Sequence, residues 1–464
     1  MLRRIATPAA FLVVVLAYVF FGSYGRFAFH TKTWDTGSDR PGDGYYTHLI
    51  EGFRRGRISM IDKPDPLLMA LPDPYDYEAR HNVPYMWDAS YLNGHYYLYF
   101  SPLPALILYW PTWIATGRYP SDQFASVFFA TWAAIMAGLF VRRAIGAKRQ
   151  VPLFIWIVML GLAGVVPFIM AYSRTYEVAT ICGMAMTATW AWSLLRYMET
   201  RKTSALVWMS IWLSLSIIAR PNLGVLLLPA FLALPKPRLR PAIIALIPLS
   251  IFGLATISYN YARFHNPFEF GHRYQLTYMS MANYKVCGCR NKGEALRLVH
   301  SSMLYVLQPP SVTSEFPYFG LPRVPLDHAV SFSDLSEEVG GLVPLIPIAA
   351  IGSVLAALAF LRRRQLDTGS RAALIVIAAG WLSLLGLSGC WFVTARYEVD
   401  FLLLIAAGSV VLVDRAADTR AIRALAILLA IYSILVGVLL GLKGTNDTFP
   451  RENPKLFEKL KRHF

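Results

Sequence analysis

Residues 102–117 read PLPALILYWPTWIATG, and how this stretch meets a membrane decides the topology of everything around it. It is apolar enough to enter a bilayer, but it carries Pro102, Pro104 and Pro111, with Trp110 and Trp113 towards its end. Proline removes a backbone donor, and tryptophan favours the headgroup region. Charge supplies the decision. If 102–117 does not cross, Arg3, Arg4 and the loops at 142–149, 196–202, 236–240, 362–371 and 415–423 share one side and hold 19 Lys and Arg. The three short loops opposite hold one each: Arg174, Arg220 and Arg396. If 102–117 does cross, the five basic loops move outside. Because basic residues collect on cytoplasmic loops, the pattern predicts eleven spans with 102–117 lying in the interface.

Composition agrees. Of 464 residues, 56% are apolar and 16% charged, against about 25% charged in soluble domains, and the mean hydropathy is +0.44. That excludes a disordered chain, a disulfide-built miniprotein and a soluble globular enzyme. The net charge of +16 comes from the cytoplasmic loops, so no nucleic-acid partner is expected. The fold class is an all-α polytopic membrane protein, a single integral domain over 1–464. Apolar stretches fall at about 8–23, 123–141, 152–172, 177–195, 205–219, 222–234, 241–260, 341–361, 371–388, 398–414 and 422–441. The first lacks a small-residue cleavage site and reads as a retained anchor. ARPN at 219–222 marks either a loop or a kink. The outer side then holds a first loop (24–122), a second (261–340) and a short tail (442–464).

The first loop contains DGYYTHLIEGFRRGR at 43–57. Tyr45, Tyr46, Leu49, Ile50 and Phe53 share one helical stripe, with Glu51, Arg54 and Arg55 elsewhere, as in a surface helix ended by Gly56. Asp43 stands at the N-cap position, where it either caps the helix or does chemistry. Beyond it, Pro-Asp turns alternate with aromatics. Tyr46, Trp87, His95 and Tyr97 are candidate sugar or acceptor contacts, because sugar C–H faces stack on rings. The same residue types also mark a membrane interface.

Taken together, Asp43 and Tyr46 in D-x-x-Y, the exit at Gly56, then Gly94, Tyr97, Pro102 and Pro104 leading into an aromatic segment resemble the GT-C fold. The resemblance is to polyprenyl-phosphate-sugar-dependent glycosyltransferases of the protein O-mannosyltransferase and lipid A aminoarabinose transferase kind (glycosyltransferase family 39/83-like). It covers roughly 40–115 by motif and the remaining spans by architecture. It implies two long outer loops with interfacial helices and transfer of a sugar from a polyprenyl-phosphate carrier to an acceptor glycan, lipid or protein. Inverting displacement is implied, with Asp43 as base and Asp35, Asp39 and Asp88 in reserve. It implies a bacterial inner membrane with the active site on the periplasmic side, contact with membrane lipids, and no required cofactor, with room for a divalent metal. Gly44 stands where the family often has Glu, and Ser101 where it often has a phosphate-binding Lys, so another cation takes that role.

Candidates for that cation are Arg174, Arg220 and Arg396 at the outer ends of spans, Arg273 in the second loop, and Lys63. Guanidinium forks suit phosphate oxygens. Local pairing is the competing account, Arg174 with Glu177 and Arg396 with Asp400. Two other functions share this architecture, a transporter or flippase and an O-antigen-type ligase or polymerase. Transporters place ionisable groups near the midplane, whereas these spans have few acidic residues at their centres. Cys287 and Cys289 (VCGCR) have no assigned role.

Overall fold

The structure is a computed structural model describing residues 2–30, 44–147, 149–281, 292–324, 335–362, 365–390 and 392–463. Asp35, Asp39, Asp43, Cys287 and Cys289 lie outside the described residues. The fold is mostly helical. Among the described residues, five helices are long and apolar enough to cross a membrane: Asp122–Ile145, Thr175–Thr200, Leu239–Phe264, Thr368–Ser388 and the helix beginning at Arg420.

Other expected spans form shorter or broken helices. The 152–172 stretch divides into Leu153–Leu162 and Val166–Met170 around Gly164, whose φ of +73° ends the first piece. The 205–234 stretch stops at Ala219 and resumes as a 3₁₀ turn at Pro221–Leu226, because Pro221 cannot donate back into the preceding turn. Residues 105–116 form one short π-then-α helix, Ala105–Tyr109 followed by Trp110–Thr116. At 1.5 Å per residue it is about 18 Å long, well short of a ~30 Å hydrocarbon core.

Thr175–Thr200 is the central helix, almost wholly buried between Asp122–Ile145 and Thr203–Ala219. Leu239–Phe264 packs on Thr203–Ala219 from outside and turns Leu239, Ile243, Leu246, Ile247, Ile251 and Leu254 outward, as a lipid-facing helix does. Thr368–Ser388 and Leu402–Ala416 approach closely through small residues: a Cβ on Gly408 would sit 2.7 Å from the Ala373 carbonyl oxygen.

The basic loops gather at one end of the molecule. Arg143 Nε donates to Glu199 Oε2 at 2.5 Å, and Arg201 Nη1 to the Ala233 carbonyl at 3.2 Å. Arg415 pairs with Asp367 and donates to Ser370 Oγ at 2.8 Å and to the Ala144 carbonyl at 2.7 Å. Beside it, fully buried Asp414 accepts from the backbone N–H of Gln150 (3.1 Å) and Val151 (2.9 Å) and from Trp156 Nε1 (2.9 Å). Buried carboxylates persist only when their oxygens are satisfied in this way.

At the opposite end, segments of the two long loops form one layer. The surface helix is Tyr45–Arg54, with Tyr45, Tyr46, Leu49 and Ile50 buried, as the stripe predicts. Its N-cap is Gly44, in the left-handed region at φ 75°, one residue beyond Asp43. Glu51, expected off the stripe, is also buried and accepts from Arg54, Arg55 and Tyr119. Ser90–Leu92 pairs antiparallel with His95–Tyr97 through Asn93 and Gly94, both at positive φ. The second loop adds to this hairpin: Asp88 N–H donates to the Leu276 carbonyl, and Leu276 N–H to the Ala89 carbonyl, each at 2.9 Å.

Candidate functional site

The layer of loops roofs a cavity of about 900 Å³. One wall is a stripe of Leu239–Phe264, made of Phe252, Ala255, Thr256, Tyr259, Asn260 and Arg263, spaced three and four residues apart. The facing wall comes from the end of Thr203–Ala219 with Arg220 and Asn222, and the roof includes Tyr99, Phe100, Glu269, His272 and Arg273. The cavity is therefore apolar in its depth and cationic at its roof.

Two arginine candidates, Arg220 and Arg273, meet here. Arg220 is buried and donates from Nε (3.1 Å) and Nη2 (2.9 Å) to Asp400 Oδ2, which also accepts from Asn222 Nδ2 at 3.0 Å. Asp400 is thus the partner of Arg220 and not of Arg396. Residues 395–398 form a single helical turn that stops before Asp400, so the continuous i, i+4 face needed for an Arg396–Asp400 pair does not exist. Arg273 is exposed on the roof. Arg263, in the last turn of its helix, donates to the Leu98 carbonyl and Asn260 Oδ1, each at 2.7 Å, and lies over the Tyr259 ring.

A carboxylate cluster adjoins the cavity. Asp88, a reserve candidate, accepts from Tyr176 Oη at 2.6 Å and from Gln275 Nε2 at 3.0 Å. Its backbone sits in the left-handed region at φ 57°, a strained conformation for a residue with a side chain. Burial pushes its carboxyl above the ordinary range, against the pull of Tyr176, Thr277, Arg396 and Gln275. Arg396 lies over Tyr176 and pairs with Glu337 at 3.1 Å and, less closely, with Glu177 at 3.9 Å. Burial opposes its charge, but those carboxylates outweigh the effect and raise its pKa. Phe100, on the cavity roof, packs edge-on against Tyr176 with centroids 5.5 Å apart, so the cluster and the cavity are contiguous.

A third group anchors the surface helix. Asp122 is buried and accepts from the Gly44 N–H at 2.9 Å, Tyr109 Oη at 2.5 Å and Thr175 Oγ1 at 3.5 Å. Thr175 and Tyr176, adjacent at the start of the central helix, thereby touch Asp122 and Asp88 respectively. Sequence reading singled out neither Asp122 nor Tyr176. Asp122 follows Ser121, a good cap, and reads as an ordinary first-turn acid; only the folded chain brings Gly44 to it.

The other candidates are dispersed. Arg174 stands before Thr175 with its guanidinium over the Tyr172 ring, and its backbone N–H donates to Glu177 Oε2 at 3.0 Å. Lys63 is exposed and does not line the cavity. Tyr46 is buried, with its ring against Tyr109 and its hydroxyl without a hydrogen-bond partner among the described residues. Tyr97 packs on Phe264, Trp87 accepts the Tyr45 hydroxyl through its carbonyl, and His95 is exposed beside Tyr97. Among the described residues, no three His, Cys, Asp or Glu side chains converge as a metal site. Both oxygens of Asp122 accept hydrogen bonds from protein donors.

No protein-family model matches the chain, and no curated protein matches it in sequence. Its fold is similar to that of solved oligosaccharyltransferases. One is the archaeal oligosaccharyltransferase AglB from Archaeoglobus fulgidus in complex with an inhibitory peptide and a dolichol-phosphate. It has a TM-score of 0.52 and 14% identity over 98% of this chain and 59% of that one. Another is an Archaeoglobus fulgidus oligosaccharyltransferase in complex with Zn and sulfate, with a TM-score of 0.54 and 16% identity over 98% of this chain and 56% of that one. The chain spans less than three-fifths of the length of either. At these identities the likeness is one of fold.

Proposed function

We propose that the protein is a membrane glycosyltransferase that takes a sugar from a polyprenyl-phosphate carrier and passes it to an acceptor glycan, lipid or protein on the outer face of the membrane. The observation that carries this reading is that one cavity combines an apolar depth with Arg220 and Arg263 on its walls and Arg273 on its roof. A lipid tail and an anionic phosphate belong together in such a space. The AglB complex with a dolichol-phosphate is in keeping with a lipid-phosphate ligand on this fold.

In the proposed reaction the acceptor hydroxyl oxygen attacks the anomeric carbon as the bond to the carrier phosphate breaks, with inversion. The leaving phosphate gains negative charge, which guanidinium groups at the roof stabilise. Asp43, next to the Gly44 peptide held by Asp122, takes the acceptor proton, and Asp88 is the second carboxylate, orienting the sugar or replacing Asp43 as base. Trp87, His95 and Tyr97 lie along the hairpin from Asp88 and supply acceptor contacts. In this reading the basic end faces the cytoplasm.

Envelope glycan and lipid analysis of a deletion strain tests this. Loss of one glycosyl modification, restored by the wild-type gene and not by Asp43→Asn, is expected. An unchanged glycan and lipid profile would refute it.

A further inference from the structure

The depth of the cavity sets how much of the carrier the protein can hold, an inference that rests on the lipid-phosphate reading above. The lining stripe runs from Arg263 at the roof to Phe252 at the bottom, eleven residues and so about 16 Å along the helix. Leu215, Ile218 and Ala219 face it from the neighbouring helix. The lining on this helix ends at Phe252, and about two turns further down the Ser210 hydroxyl donates to the Ala245 carbonyl, joining the two helices directly. The charged and amide groups of the stripe, Arg263 and Asn260, sit at the roof end, while the Thr256 hydroxyl lower down donates to the Phe252 carbonyl of its own helix; this places the phosphate at the roof and the tail below it.

An extended isoprene unit adds four carbon–carbon bonds of about 1.5 Å and, with their zigzag, about 5 Å of length. We propose that the slot admits about three isoprene units next to the phosphate, and that the rest of the carrier leaves sideways into the bilayer without contacting the protein in a defined way. The protein would then read the phosphate-proximal end of the carrier and be indifferent to its total length. A tail moving from lipid into the slot gains no hydrophobic transfer energy, because both surroundings are apolar, so its fit depends on packing shape alone.

The test is photo-crosslinking of the full-length protein in nanodiscs with polyprenyl phosphates of eight isoprene units, carrying a diazirine on the second, third or sixth unit counted from the phosphate. Crosslinked peptides are mapped by mass spectrometry. The second- and third-unit probes should label 252–263 and 215–222, and excess unlabelled farnesyl phosphate should compete this away. The sixth-unit probe should give mainly lipid adducts with no focused peptide. Ala255→Phe, which places a ring across the lower slot, should shift the third-unit label off these peptides while second-unit labelling stays focused. Focused sixth-unit labelling at 203–212 or 239–249 would show that the slot continues past Ser210 and would overturn the inference. Equal labelling by the matching polyprenols without phosphate would instead overturn the lipid-phosphate reading itself.

Discussion

Removing the Arg220 side chain tests two roles of that residue at once. Arg220 and Asp400 are both buried, and the guanidinium places two donors on Asp400 Oδ2 while Oδ1 has no hydrogen-bond partner among the described residues. Arg220→Leu alone strands a buried carboxylate, a change worth about 3–5 kcal/mol of destabilisation. Arg220→Leu with Asp400→Leu removes both charges, and such paired replacements are neutral or stabilising in other proteins, so the double variant should regain most of the lost thermal stability in detergent. Binding should not return with it. A lost charge-assisted contact to phosphate is worth about 1.5–3 kcal/mol, roughly tenfold or more in affinity, so the stable double variant should bind farnesyl phosphate at least about tenfold more weakly than wild type. Unfolding is followed by intrinsic fluorescence and binding by titration calorimetry. Wild-type farnesyl phosphate affinity in the double variant would refute a phosphate role and leave Arg220 as a structural residue. An undiminished melting temperature in the single variant would refute the buried pair.

Four further outcomes follow from the same residues. Asp43→Asn should leave a normally inserted protein with sugar transfer reduced by roughly 10²–10⁴, whereas near wild-type transfer would move the base to Asp88. Because burial raises the Asp88 carboxyl above its ordinary value, transfer that needs it ionised should fall on acidification at a higher pH than an ordinary aspartate would give, and Asp88→Asn should abolish that acid limb in a pH–rate profile. Asp414→Ala leaves three N–H donors without their acceptor, at about 1–3 kcal/mol each, so the melting temperature should drop sharply with farnesyl phosphate affinity unchanged at low temperature. Cysteines at Ala147 and Gln365 should resist an impermeant thiol reagent in spheroplasts while one at Asn82 reacts; labelling of the first two from outside would overturn the eleven-span topology.

The sequence was most readable where one periodicity acts alone. The apolar stripe at 45–53 gives the surface helix almost to the residue, and the three prolines of 102–117 announce the short, irregular helix found there. The Asn93-Gly94 pair, flanked by alternating aromatic and polar residues, is a legible hairpin signal that the aromatic reading passed over. The polar partnerships were not legible. Pairing Arg396 with Asp400 assumes a continuous helix, and the chain breaks that helix after Glu398. Arg220 reaches Asp400 across 180 residues, and Gln275 reaches Asp88 across 187. Such contacts are set by which helix ends share one level of the bundle, and that is decided by packing.

The laced basic end has a consequence for how anything could pass through the molecule. Arg415 alone ties the ends of three helices, and Asp414 fastens the next loop beside it. Alternating access requires each end of a bundle to open in turn around a central site. Here one end is laced by polar contacts around the buried Asp414, whose release would leave that carboxylate and its three N–H donors unpaired, while the cavity and the loops that roof it lie at the other. A floor tied in this way suits a site served from one side, with exchange through the roof or sideways into the bilayer.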